Sequence, residues 1–181
     1  GPLKTKGSAT KFDKHSIRKH FHLQLKALWT QEPLIRFAKY IDAARELHER
    51  EISLLEPVGP YQFAPLVSQA AGWRAVCAVD ILFLRPAQPG QLIGHGGDLD
   101  NRLKTLFDAM RVPNLDELPA GATPDFDEKP FHCLLQDDAL VTKINVTTDR
   151  LLVSASPNDV ELIVGVGVSA TSRTMGNDPI W

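Results

Sequence analysis

The stretch Asp98-Leu-Asp-Asn-Arg-Leu-Lys-Thr-Leu-Phe-Asp-Ala-Met110 places apolar residues three or four positions apart. This spacing is typical of a helix that buries one face. The helix is predicted to begin between Asp98 and Asn101 and to run to about Arg111. Its apolar stripe consists of Leu99, Leu103, Leu106, Phe107 and Met110. Charged residues fill the remaining positions, so one side is expected to pack on a core while the other meets solvent.

Strands are predicted on both sides of this helix. Residues 75–84 are rich in apolar and β-branched side chains and end at Arg85-Pro86, which is typical of a well-buried strand. Residues 141–148 and 160–168 have a similar composition. The second of these segments places Leu162, Val164, Val166 and Val168 on one face.

Two more helices are predicted before the first strand. Ser16 is suited to cap a helix with apolar residues at Ile17, Phe21, Leu25 and Leu28. Another helix is predicted to start after Pro33, to run toward Leu55 and to end before Pro57. The order of these elements predicts an α+β fold, with a small mixed β-sheet packed against helices.

The N-terminal part of the chain is strongly basic. Residues 1–26 hold seven Lys and Arg against one Asp, a balance of +6, which leaves 13 basic and 21 acidic residues, or -8, for the rest. A basic arm on an acidic body is typical of proteins that bind a polyanion. On the predicted helix, a basic stripe lies about 200° from the apolar face. The candidate nucleic-acid contacts are His15, Arg18, Lys19, His22 and Lys26, and the alternative is an ordinary solvated helix face.

Length and composition favour one globular domain. The chain has 181 residues, 43% hydrophobic and 23% charged, and the domain is expected to span residues 1–181 with a basic helical part over about 1–56. Residues 112–130 are acidic and Pro-rich without periodicity, which predicts a long surface loop. Cys77 and Cys133 are expected to be buried thiols of a reducing cytoplasm. No apolar run is long enough to cross a membrane.

Three acidic residues are candidates for metal binding. Asp98 and Asp100 lie at the predicted start of a helix, and Asp138 precedes a strand. Carboxylate oxygens are the ligands that Mg2+ prefers, and Lys104 follows Asp100 by one helical turn, where its charge would stabilise a phosphoryl transition state. Spacing alone leaves other roles open: a helix cap, a surface ion pair of Asp100 with Lys104, or a turn at Asp137-Asp138.

Two motifs resemble those of the RusA family of Holliday junction resolvases. The stretch 98–110 resembles the family's Asp-x-Asp-Asn signature with its downstream Lys, and 135–141 (Leu-Gln-Asp-Asp-Ala-Leu-Val) resembles its aspartate pair before a short strand. This resemblance implies that Asp98, Asp100 and Asp138 are catalytic carboxylates that hold Mg2+, or alternatively Mn2+, and that Lys104 is required. Asn101, Asp108 and Asp137 match motif positions with supporting roles.

The resemblance also implies a small α+β homodimer that cuts branched DNA symmetrically, since two sites across a twofold axis suit a four-way junction. It covers roughly residues 75–146. The chain departs from the family pattern at Gly94-His-Gly-Gly97, where basic residues often stand, and in its longer segment before Asp137. One hypothesis is that the basic N-terminal helix supplies the missing phosphate contacts. The alternative function is a catalytically weak RusA-like module for nucleic-acid binding or protein interaction in a phage or defence system.

Overall fold

The computed structural model describes residues 9–44, 52–70, 72–86, 98–154, 156 and 160–177, and only the backbone of Asp98. Within these ranges the α-helices are α1 (Lys11–Leu28) and α2 (Asp98–Met110). The strands are β1 (Glu56–Val58), β2 (Tyr61–Val67), β3 (Ala75–Arg85), β4 (Phe131–Leu135), β5 (Val141–Arg150) and β6 (Glu161–Ala170). Four short 3-10 helices span Leu34–Ile41, Leu115–Glu117, Phe126–Glu128 and Asp138–Leu140. The predicted α+β class is confirmed.

The strands form two three-stranded sheets. In the first, β2 lies between antiparallel β1 and parallel β4. In the second, β3 lies between parallel β5 and antiparallel β6. The sequence predicted the three strands of the second sheet, but it did not reveal the first. Pro65 interrupts the pattern of β2, and β4 is an apolar run of only five residues that periodicity cannot assign.

The central strand β3 organises the larger core. Its residues alternate between buried and more accessible positions, as a sheet with one covered face requires. The covered face consists of Ala75, Cys77, Val79, Ile81 and Phe83. Leu106 and Met110 of α2 and Ile17 and Leu25 of α1 belong to the same buried cluster. The apolar stripe predicted for α2 therefore packs inward.

The N-terminal helices differ from their predictions. α1 begins six residues before the predicted start, because Thr10 and not Ser16 caps it. The Thr10 hydroxyl accepts from the N–H of Asp13, and the Asp13 carboxylate accepts from the N–H of Thr10, a reciprocal arrangement that satisfies free N–H groups. The helix predicted after Pro33 is only the 3-10 helix Leu34–Ile41, and residues 45–51 of that prediction lie outside the described residues. None of the helices in the described ranges is long and apolar enough to span a membrane.

Trp73 joins the N-terminal elements to the sheets. It is 1% exposed, and its indole N–H donates to the carbonyl of Leu66 at 2.8 Å. Its ring lies 6.3 Å from that of Trp29 and 5.5 Å from that of Phe37.

Trp73→Ala should lower the free energy of unfolding by about 3 to 5 kcal/mol, because it leaves a cavity and an unpaired carbonyl. Urea unfolding measures the loss. Phe126→Ala, at a side chain 96% exposed, is the control and should change stability by less than about 0.5 kcal/mol.

Candidate functional site

The Asp-x-Asp-Asn motif lies at the N-terminal end of α2. Asp98 is the first residue of the helix, and its side chain is outside the described part. Asp100 and Lys104 are both exposed and are separated by one helical turn, so they share a face of the helix. The N-terminus of a helix carries N–H groups without helical partners and a partial positive charge, which favour an anion such as a phosphate.

Asp138 begins the 3-10 helix that leads into β5. The carboxylate of Asp137 accepts from the N–H of Ala139 at 2.8 Å and so caps this turn. The Asp138 side chain is exposed. The capping role that the sequence left open for this acidic pair therefore falls to Asp137, and Asp138 remains accessible to solvent.

The two acidic motifs lie at opposite ends of α2. The chain just after the helix runs parallel to the end of β4: Arg111 pairs with Leu135, and the N–H of Val112 donates to the carbonyl of Leu135 at 2.9 Å. Asp138 follows Leu135 by three residues and lines a cleft with residues 111–114. Asp100 is eleven residues before Arg111, which corresponds to about 16 Å along the helix axis. One chain therefore does not bring Asp138 to the start of α2.

This separation bears on the predicted Mg2+ site at Asp98, Asp100 and Asp138. Ligands of one Mg2+ ion lie about 2.0 to 2.1 Å from it, so a shared ion would require the Asp138 carboxylate to reach the first turn of α2. Among the residues with described side chains, which do not include Asp98, no three His, Cys, Asp or Glu are grouped so that they could hold a metal ion. Metal binding by Asp98, Asp100 and Asp138 stays a prediction.

The cleft beside Asp138 is polar and has a volume of about 370 Å3. Gln136 organises one wall: its amide donates to a Glu56 carboxylate oxygen at 2.7 Å, and its oxygen accepts from the Ser68 hydroxyl and the N–H of Gln69. Arg111 lines the opposite side and is held by Glu117 at 2.7 Å. Glu56 and Arg111 of this cleft are therefore engaged within the protein, whereas Asp138 is exposed.

The basic stripe of α1 does not face solvent, so the exposed basic face expected from the sequence is wrong. His15, Arg18 and His22 are 8%, 1% and 1% exposed. Lys19 and Lys26 are only partly exposed. The physical reason is that α1 is covered on two faces: Ile17 and Leu25 join the larger core, while the histidines pack on the aromatic cluster of the first sheet. The five residues proposed as DNA contacts, His15, Arg18, Lys19, His22 and Lys26, are thus engaged inside the protein, and their role in DNA binding stays a prediction without support from exposure.

The partners of the basic stripe come from the predicted acidic loop, which we call the acidic segment (residues 112–130). Lys19 contacts Asp125 at 3.0 Å and Glu128 at 2.8 Å. Lys26 donates to the carbonyl of Asp127 at 2.7 Å. The segment is therefore ordered against α1 and contains two of the short 3-10 helices, because acidic side chains and free carbonyls meet the cations of the helix. The predicted long surface loop is thus mostly exposed, and it is held against α1 by these contacts.

Burial lowers the pKa of His15, His22 and His132 and so favours their neutral form. Burial, reinforced by Arg18 and Lys19, lowers the pKa of His15 from 6.5 to about 4, and burial, reinforced by His22 and Lys26, does the same for His132. Neutral His22 is held from both sides: one ring nitrogen accepts from the N–H of His132 at 2.8 Å and the other donates to the carbonyl of Asp127 at 3.2 Å. These imidazoles act as aromatic core residues.

Sequence reasoning missed Asp108 and Glu128 as structural counterions. Asp108 contacts Lys14 at 2.5 Å and Arg111 at 3.6 Å, and its carbonyl accepts from Arg18 at 3.0 Å. Both acidic residues are buried. The signal was present for Asp108, which continues the buried side of α2 next to Phe107 and has Arg111 three positions later. Its partners Lys14 and Arg18 are 94 and 90 positions away in the chain, and no local pattern reveals them.

Comparison of the chain with protein-family models, with curated proteins and with solved structures finds no match.

The buried histidines predict a loss of stability in acid. Their folded pKa of about 4 lies below the unfolded value of 6.5, so between these values the unfolded chain binds protons that the folded chain does not, and stability falls as the pH falls. From pH 7 to pH 5 each of His15 and His132 should cost about 2 kcal/mol. Urea unfolding across this range measures the slope. His132→Phe should remove about half of this dependence of stability on pH, while replacement of the exposed His20 by Gln should leave it unchanged. Equal slopes in the unchanged protein and in both variants would contradict the assignment of the acid sensitivity to the buried histidines.

Proposed function

We propose that the chain is a Mg2+-dependent endonuclease that cuts branched DNA such as Holliday junctions and acts as a homodimer. The observation that supports this best is the start of α2, where the Asp-x-Asp-Asn motif occupies the first helical turn with Asp100 and Lys104 exposed. The resemblance of residues 98–110 to the RusA signature supplies the reaction class.

The residues present fit a magnesium ion. Mg2+ is commonly held by one or two carboxylates, with water and substrate phosphate completing its coordination, and Asp98 and Asp100 would supply this number. Such an ion, when bound, polarises a phosphoryl oxygen and activates water for attack. Lys104 would stabilise negative charge on the phosphate from the same helix face. The free N–H groups of the first turn of α2 would also stabilise negative charge on the phosphate.

We propose a smaller role for Asp138 than for Asp98 and Asp100. Because this residue lies beyond the C-terminal end of α2, it is not proposed as a ligand of the ion held by Asp98 and Asp100 of the same chain. Its exposed carboxylate belongs to the polar cleft lined by Glu56, Arg111 and Asn114. The homodimer is proposed because a twofold protein suits a substrate with two equivalent strands to cut.

The second candidate function is a RusA-like module that binds nucleic acid or protein with little catalysis. The separation of Asp100 from Asp138 favours it, because an incomplete carboxylate set would hold the metal weakly. The engagement of α1 by the acidic segment does not favour DNA binding through that helix. Any DNA surface would then have to lie elsewhere.

Cleavage of synthetic four-way, flap and linear DNA with and without Mg2+ tests both functions in one gel. Asp100→Asn should lower the cleavage rate by roughly 100-fold or more while junction binding survives, because repulsion of phosphate is reduced. Asp138→Asn should have a smaller effect, since its carboxylate lies at the other end of the helix. Asp116→Asn, at an exposed position of the acidic segment, is the control for loss of one negative charge.

The outcomes separate the two candidates. Full activity of Asp100→Asn would overturn the assignment of the metal site. Binding of branched DNA without cleavage by the unchanged protein would favour the binding module. Equal loss of activity in Asp100→Asn and Asp138→Asn would mean that both acidic motifs serve one reaction.

A further inference from the structure

The strand β6 forms an edge of the sheet β5-β3-β6. It is ten residues long, its sequence is Glu161-Leu-Ile-Val-Gly-Val-Gly-Val-Ser-Ala170, and its first residue is its only charged one. In the described part of the chain no strand lies on its outer side. An edge of this kind presents a row of N–H and C=O groups to solvent and is a template for pairing with another strand.

The two edges of this sheet differ in a way that points to β6. The opposite edge, β5, exposes Lys143, Asn145, Asp149 and Arg150, and charged side chains are a common protection of edges against association. β6 lacks Lys, Arg and Pro altogether. It instead exposes Ile163, at 60%, and Val166, at 36%. Only one of the two edges therefore carries the protection expected of a monomer.

The surface of β6 allows another backbone to approach. Gly165 and Gly167 lie on the same face as Ile163, and a Cβ atom added at Gly167 would meet nothing within 4 Å. The other face continues into an apolar cleft of about 860 Å3 between α1 and β6. Its lining includes Phe21 and Leu28 of α1, and Leu28 is 40% exposed. A strand added beside β6 would extend this apolar wall, because neighbouring strands place their side chains on the same two faces.

The charges at the two ends of β6 identify a second copy of the chain as the occupant. Glu161 begins the strand, and the exposed Arg173 follows three residues after its last residue. Antiparallel pairing of two β6 strands places the beginning of each beside the end of the other, so Glu161 of each copy comes near Arg173 of its mate. A twofold contact of this type is self-complementary by construction. A foreign strand would have to provide the same complement independently.

We propose that two copies of the chain associate through antiparallel pairing of β6 with β6, which joins their three-stranded sheets into one continuous sheet and closes the side of the apolar cleft. Gly165, Val166 and Gly167 lie near the twofold axis, at the centre of the strand. This inference specifies the surface of the homodimer named in the proposed function. It does not depend on the nuclease chemistry.

The experiment is a mass measurement by light scattering during gel filtration over a wide concentration range. The unchanged chain, 20.0 kDa as a monomer, should have twice this mass. Ile163→Lys should shift the protein toward the monomer and raise the dissociation constant by roughly tenfold or more, the effect of about 1.4 kcal/mol, because it places a charge on the edge. Gly167→Lys, where the added side chain has open space, is a second variant with the same expectation.

Ile144→Lys is the matched control, since Ile144 is 50% exposed on the opposite edge strand β5, and it should stay dimeric. Circular dichroism and urea unfolding establish that each variant folds. A monomeric unchanged chain at every concentration would overturn the proposal, as would a dimer that both Ile163→Lys and Gly167→Lys leave intact. Dissociation by Ile144→Lys alone would assign the contact to β5 instead. The mass is independent of cleavage, so a dimer without nuclease activity would refute only the proposed function.

Discussion

The buried cations of α1 constrain the rest of the structure. Arg18 is 1% exposed, and a guanidinium withdrawn from water is stable only where acceptors surround it. The carbonyl of Asp108 and a ring nitrogen of His15 accept from it, and burial lowers the pKa of the group. The helix can therefore bury Arg18 only when α2 is in place. Lys19 and Lys26 of the same helix bind the acidic segment, so these contacts couple three distant parts of the chain.

This coupling explains why the acidic segment is ordered. A Pro-rich stretch with many acidic residues has little apolar surface to hold it against a core. Here its carboxylates and carbonyls meet Lys19, Lys26 and His22, and Leu118 joins Tyr61 and Phe131 in the smaller core. Charge pairing and a few apolar contacts, those of Leu118, Val112 and Ala122, thus replace periodicity. Among the described residues of the basic N-terminal part, Lys14, Lys19 and Lys26 bind acidic side chains or carbonyls within the molecule.

The helix α2 separates the two acidic motifs and supports both. Its 13 residues measure about 20 Å, so the Asp-x-Asp pair and Asp138 occupy different surroundings. The first lies at a helix N-terminus with Lys104 nearby, and the second lies exposed in a polar cleft that Arg111 and Glu56 also line. Parallel pairing of β3 with β5 produces this arrangement, because the chain must travel back along α2 before β5 begins beside the start of β3.

Hydrophobic periodicity in the sequence determined α2, β3, β5 and β6 and the α+β class. The spacing of apolar residues along a helix or strand indicates which of its faces is buried. It also located the exposed Asp100 and Lys104 on one helix face. Only the tertiary structure decided that α1 is covered on two sides, that β1, β2 and β4 form a separate sheet, and that Asp138 lines a cleft with the residues just after α2. These facts depend on contacts between residues far apart in the chain, and local spacing carries no information about which distant surface a charged or polar face will meet.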